Sequence, residues 1–468
     1  MSEGVAARSR GESTGPSGPV LFWVAVLLIG FAPLIRGGNR PFPLMLLESG
    51  ALFGLLVIAI AAPRSALRAI PQLWGWGVAI LLAAPLVQLI PVPFALWARL
   101  PGHEPYASAL AVAEGASAGW RAISVNPVAS EYAWLAMIPC LAIFVLVQHL
   151  DRHHVRRLIV LFVGVAVCEA TLGVMQLGAP AGSLLHLGNP YGGAASTGTY
   201  VNKNHFAALM AMALPMLMAM WAAEILPPVN SSGEVLRDHP RNRDVKLARR
   251  ILLSIFVVTV AVALLFTRSR AGVGTGFAAF ALASLALVWN AGSVHARVIL
   301  GIVAACALGL GAYIGLTPVL ERFSMEQLAL SYEGRMGIAA GTLRGALDFL
   351  PLGSGLGTFA DVFPRYQLAS FPGFVDHAHN DYAEAFLELG LAAVAAIPLL
   401  VAAYVMRLRA LTRARLSRSF GYLQLGAGLA MLAVAAHGVF DFNFHIPANA
   451  LYFSFLAGVF FIPAEDRA

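Results

Sequence analysis

Charge is scarce in this chain. Of its 468 residues only 12% are Asp, Glu, Lys or Arg, whereas 59% are hydrophobic and the mean hydropathy is +0.75. A soluble domain with one core needs far more polar surface, so the balance excludes that class and indicates a polytopic membrane protein. Cysteine is rarer still. Cys140, Cys168 and Cys306 are the only three, and all fall inside apolar runs, which argues against a disulfide framework or a cysteine zinc site. Nucleotide-binding fingerprints are missing too. The glycines of Gly353-Ser354-Gly355-Leu356-Gly357 follow no strand of a βαβ unit, which rules out a dinucleotide fold or a P-loop. An ordinary turn and a backbone anion nest are the two readings left for them.

What the chain has instead is apolar length. Runs long enough to cross hydrocarbon as helices, about 17 to 25 residues, recur throughout, and about twelve are predicted. They lie near 20–35, 43–62, 72–92, 129–150, 158–177, 205–225, 251–267, 271–289, 298–316, 382–405, 421–437 and 448–463. The first has no small-x-small cleavage site and ends at Arg36, so it is expected to remain as a helix. Residues 1–18, rich in Ser, Gly and Arg, are expected to be a disordered tail, 19–463 a single transmembrane domain, and 464–468 a second tail.

Placing both termini in the cytoplasm puts about 20 of the 31 Lys and Arg residues on that side, as the positive-inside rule requires. The net charge of +7 then reflects topology rather than nucleic-acid binding. The opposite side carries two long loops, 93–128 and 317–381. The second is expected to form one or two short surface helices between about 335 and 350. The predicted fold is therefore all-α.

Polar residues gather on that opposite side. The densest stretch is Asp376-His377-Ala378-His379-Asn380-Asp381-Tyr382-Ala383-Glu384, running directly into an apolar span. Such a titratable cluster is costly to desolvate and needs a functional reason. Three others converge with it: Thr199-Tyr200-Val201-Asn202-Lys203-Asn204-His205-Phe206, Thr267-Arg268-Ser269-Arg270-Ala271-Gly272, and Asp441-Phe442-Asn443-Phe444-His445. Arginine's fork of donors matches phosphate oxygens, so Arg268, Arg270 and Arg335 with Lys203 are candidates to hold a diphosphate. A histidine beside them can deprotonate a hydroxyl. Plainer readings stand alongside. His379 can cap the helix that begins near Tyr382, His377 can be a solvated loop residue, and Arg268 can snorkel to headgroups. Asn380, Glu384 and Glu388 share one helix face, which lines an acceptor path or is the wet end of a span. Glu48 and Glu169 are functional candidates because they lie within apolar runs.

The ordered motifs Asn202-Lys203-Asn204-His205-Phe206, Ser269-Arg270-Ala271-Gly272, Glu333-Gly334-Arg335, Gly355-Leu356-Gly357-Thr358-Phe359, His377-Ala378-His379-Asn380 with Glu384, Glu388-Leu389-Gly390, and Asp441-Phe442 resemble those of the bacterial O-antigen ligase family. The resemblance spans roughly residues 130 to 460. It implies a GT-C-like enzyme of the bacterial inner membrane with its site facing the periplasm. The implied reaction is inverting transfer of a glycan from an undecaprenyl diphosphate-linked donor to an acceptor hydroxyl, on a growing glycan, a lipid A core or a protein. No cofactor, metal or nucleic acid is implied. Arg270 and Arg335 match the family's diphosphate-binding arginines. His379 matches its essential histidine, as general base or diphosphate-positioning group, while His205, His377, Asn380, Glu384 and Asp441 are supporting residues. Lys203 stands where many members carry arginine, keeping the charge without the fork.

A transporter or flippase of a polyprenyl-linked glycan is the alternative. That class predicts midplane charges, broken helices and an internal repeat, and the sequence shows its polar clusters at one interface with no repeat.

Overall fold

The computed structural model describes residues 18–61, 70–114, 119–180, 182–190, 193–225, 243–290, 301, 325–367, 373–413 and 419–463. The predicted span at 298–316 lies outside the described residues, apart from residue 301. The predicted tails lie there too, residue 18 excepted. The other apolar runs fold as helices, because a backbone in hydrocarbon must satisfy its own hydrogen bonds. In order they are α1 (Gly18–Phe31), α2 (Pro41–Ala61), α3 (Gln72–Gln88), the strand β1 (Pro91–Pro93), α4 (Phe94–Trp97), α5 (Glu104–Glu114), the strand β2 (Trp120–Ala122), α6 (Pro127–Leu135), α7 (Ile138–His149) and α8 (Arg152–Leu177). Then follow α9 (Lys203–Ile225), α10 (Arg243–Phe266), α11 (Arg270–Asn290), α12 (Met325–Asp348), α13 (Phe359–Val362), α14 (Asp381–Leu389), α15 (Leu391–Arg413), α16 (Ser419–His437) and α17 (Pro447–Phe461).

Among the described residues seven stretches are long and apolar enough to cross a membrane: α2, α6 with α7, α8, α9, α10, α15 and α16. Four shorter apolar helices, α1, α3, α11 and α17, accompany them. Within α9, 89% of the apolar window is buried, against 17% in α2 and in α15. So α9 is the central post, packed by α10, α11 and α16, and α2 and α15 turn their apolar surface outward.

Three details differ from expectation. The fold is mostly rather than wholly α-helical, since β1 and β2 pair antiparallel with Val92 opposite Arg121. The 317–381 loop carries α12, 24 residues long, rather than one or two short helices. The span predicted at 382–405 is two helices, broken at Gly390 between α14 and α15. Gly390 has φ +57 and ψ −131, a region reserved for glycine. Its apolar neighbours continue the helical pattern, which hides the break from a periodicity reading. A second, small apolar core outside the main bundle packs α12, α13 and α14 together through Ile338, Phe349, Phe359, Phe363, Ala378 and Leu387.

A methyl added at Gly390 would fall 2.3 Å from the Pro351 carbonyl oxygen, whereas at Gly274 of α11 it would meet nothing within 4 Å. Gly390→Ala is therefore expected to lower stability by about 1–3 kcal/mol. Gly274→Ala, inside a helix with room for the methyl, is expected to keep or raise stability, as read by thermal unfolding of the two variants in detergent.

Candidate functional site

The site is built at the ends of α9, α14 and α16 and in the turn before α17. Asn380 starts α14 by capping it, its Oδ1 accepting from Tyr382 N and Ala383 N at 3.0 Å each. That places the cap on Asn380 rather than on His379. His379 sits just before it with a left-handed backbone, φ +49, a conformation that costs a non-glycine residue about 1–3 kcal/mol. Arg268, at φ +53, is another of the four non-glycine residues in that region among those described. Ala378 is buried in the small outer core, so the histidines on either side of it project out of that core.

Two carboxylate–histidine groups form around the Phe442 ring. His377 stacks on it at 4.1 Å, and His379 and His205 meet it edge-on at 5.0 and 4.6 Å. In the first group Asp441 is the hub. His379 Nδ1 lies 3.3 Å from its Oδ1, Asn204 Nδ2 donates to its Oδ2 at 2.5 Å, Phe442 N donates at 3.0 Å, and His205 Nε2 stands 3.9 Å away. In the second group Glu384 is the hub, bound by His377 Nδ1 and Ala378 N at 2.7 Å each, with His445 Nε2 at 3.3 Å. His445 Nδ1 then reaches Asp381 Oδ1 at 3.2 Å, and Asp381 Oδ2 accepts from Asn443 N at 3.0 Å. The pairing is reciprocal: the α14 segment gives His379 to Asp441, and the turn before α17 gives His445 to Asp381.

Electrostatics follow this geometry. Burial alone would push the Asp441 carboxyl up, but the hydrogen bond from His379, with His205 and His437 nearby, holds it well below the usual carboxylate range. Burial would likewise lower His445, yet Glu384 and then Asp381 push it up to about 10.

The arginines approach from the turn between α10 and α11. Ser269 Oγ accepts from Gly272 N at 3.2 Å and so caps α11, of which Arg270 is the first residue. A methyl at Gly272 would fall 2.4 Å from Ala207 Cβ of α9 and 3.2 Å from His437 Cε1 of α16. Only glycine lets the start of α11 press against both helices. The Nε of Arg268 is buried with no hydrogen-bond partner. Lys203 is the first residue of α9, next to Asn204. Arg335 lies on α12, but its side chain is outside the described set.

Other expectations sort as follows. Glu384, 1% exposed, faces histidines rather than an open path. Glu388 turns elsewhere, accepting from Phe359 N at 3.0 Å. The glycine-rich turn is an ordinary one, because its amides are spent within the protein: Gly353 on Phe349 O, Ser354 on Leu387 O, Gly355 on Glu388 O, and Leu356 on Gln88 Oε1. Glu169 has its partner in Thr199, whose N and Oγ1 each donate at 2.9 Å. His445 and His437 were given no site role from sequence. His445 was findable, since Asp441 and His445 mirror the His379 and Asp381 order across the chain. His437 ends an apolar helix and carries no comparable signal.

Long apolar helices with a histidine–carboxylate site at one end define a helical membrane protein. The sequence model of the O-antigen ligase family matches residues 255–398, from within α10 into α15. Over that stretch the chain is similar to the O-antigen ligase family, and the resemblance read from its motifs is borne out. The match takes in Arg268, Arg270, Arg335, His377, His379, Asn380 and Glu384; Lys203, His205 and Asp441 lie beyond it. Comparison with curated proteins gave no match.

Asp441 gives a pH prediction. Its pKa is depressed on folding, so its contribution to stability is present above the unfolded value of about 3.9 and is lost as pH falls further. Thermal unfolding of the wild type should weaken progressively below about pH 4, and Asp441→Asn should remove this part of the pH dependence. Curves of equal steepness would contradict it.

Proposed function

We propose that the protein transfers a glycan from an undecaprenyl diphosphate-linked donor to an acceptor hydroxyl at the periplasmic membrane face, with inversion, as a polysaccharide polymerase or O-antigen ligase. One observation carries the reading: His379 is paired through Nδ1 with buried Asp441, in a cluster shared with the ends of α9 and α16, against which the Arg270 end of α11 packs. With the proton held on Nδ1, Nε2 is the lone-pair nitrogen. It takes the proton of the acceptor hydroxyl as that oxygen attacks the anomeric carbon of the donor sugar. The bond from that carbon to the diphosphate oxygen breaks on the opposite face, and a single displacement inverts the centre. Asp441 stabilises the imidazolium that forms. Arg270, Arg268, Lys203 and Arg335, with the N-terminal end of the α11 dipole, stabilise charge on the departing diphosphate. The twelve-span GT-C-like architecture belongs to this same proposal. It is supported by the alternation of the described helices between a site end and an arginine-rich end, where Arg407 and Arg152 cap the last helix.

The test uses purified protein in nanodiscs with an undecaprenyl diphosphate-linked oligosaccharide and candidate acceptors, following release of undecaprenyl diphosphate. His379→Ala is expected to lower kcat by about 10²–10⁴-fold, the usual worth of a general base, while remaining folded. Asp441→Asn should lower kcat with little change in donor KM. Full activity in His379→Ala would refute the assignment. Passage of the lipid across vesicles without diphosphate release would replace it with transport.

A further inference from the structure

We propose that His377, Glu384 and His445 form a binding site for one borderline divalent transition metal, with Zn²⁺ the best match. The three offer donor atoms that all lie within 4.8 Å of one another. His445 Nε2 is 3.3 Å and His377 Nδ1 2.7 Å from the same oxygen, Glu384 Oε1. A tetrahedral zinc with bonds of about 2.0–2.1 Å spaces its donors about 3.3 Å apart. One pair already has that spacing, a second needs about half an ångström of opening, and the two imidazole nitrogens lie within 4.8 Å of each other. Two imidazoles and one carboxylate make a set suited to zinc and its neighbours, and it leaves a coordination position open.

The surroundings are those of a ligand site. Zinc-binding histidines usually give their second nitrogen to a carboxylate, which fixes the tautomer. His445 does so, with Nδ1 at 3.2 Å from Asp381 Oδ1. With its proton there, the Nε2 lone pair faces the Glu384 oxygen, a contact that either a second proton or a bound metal ion would satisfy. The supporting groups are themselves fixed. Asp381 accepts from Asn443 N, and the other Glu384 oxygen accepts from Ala378 N. Glu384 is 1% exposed, while the His377 and His445 side chains are 25% and 26% exposed, which opens the histidine side to an entering ion. The ligands come from three segments: the end of the long outer loop, α14, and the turn before α17. One ion would tie these together. His379 is not among the ligands, so the metal would act as a structural brace beside it. This inference does not depend on the function proposed above.

A second proton on His445 is the competing source of positive charge, and the experiment separates the two. Full-length protein carrying a tag without histidine is stripped with chelator in nanodiscs, loaded with Zn²⁺ alone, desalted, and assayed for zinc per chain and for thermal unfolding. One retained zinc per chain and a raised Tm are expected for wild type and for His379→Ala. Both effects should be lost in His377→Ala, His445→Gln and Glu384→Gln. Should these variants fail to fold, Co²⁺ added to the wild type decides: strong visible d–d bands of a low-symmetry nitrogen and oxygen site support the proposal, and a spectrum like that of aqueous Co²⁺ overturns it. It is equally overturned if wild type retains no zinc, or if the three variants retain as much as wild type does.

Discussion

Four carboxylates are buried at one end of an apolar bundle, and the outer structure is arranged to satisfy them. Asp381, Glu384, Glu388 and Asp441 are each at most 5% exposed. A carboxylate taken out of water without partners costs several kcal/mol, so each must be met by donors, and none finds them within its own helix. Asp441 draws on α9 and on the segment before α14. Glu384 and Asp381 draw on the same segment and on the turn before α17. Glu388 draws on the start of α13, and its carbonyl holds Gln88 of α3. Satisfying these acids therefore pins the loops, and the pinned loops hold the histidines in register.

The glycines obey the same constraint. Gly272 brings α11 against α9 and α16, and Gly390 lets the chain leave α14 sharply enough for its carboxylates to stay at the bundle end while α15 carries on as a span. The left-handed backbone of His379 is the local cost of this arrangement. It is tolerated because the Asn380 cap on one side and buried Ala378 on the other leave the residue no relaxed alternative.

Most of the helix order was legible in the sequence, because length and apolarity are local properties and the bilayer sets the length. The four polar clusters were legible for the same reason: each is contiguous. The pairings between clusters were not. His445 with Glu384, Asn204 with Asp441 and Gln88 with the 352–358 turn join residues 61, 237 and at least 264 positions apart. No period or composition records such contacts. The i, i+4, i+8 spacing placed Asn380, Glu384 and Glu388 on one face, yet they serve three purposes. Asn380 caps a helix, Glu384 gathers two histidines, and Glu388 locks a distant turn. A shared face sets direction only, and the use of each side chain depends on what the fold brings opposite it.

This division also supports the choice of histidine in the transfer reaction proposed above. His205 and His437 are buried, at 5% and 0% exposure, out of reach of a bulky acceptor. His445 has a carboxylate at each ring nitrogen. His377 pairs with Glu384 at 2.7 Å, closer than His379 with Asp441 at 3.3 Å, so a ranking by dyad distance alone would choose His377. The neighbours of the two carboxylates reverse that choice. Glu384 leads to His445 and Asp381, toward the turn before α17. Asp441 leads to Asn204, one residue from Lys203, and to His437, which touches the start of α11 beside Arg270. In the proposed transfer a base is useful only where the leaving group's charge is also met, and His379 is the partly exposed histidine whose carboxylate adjoins the basic residues.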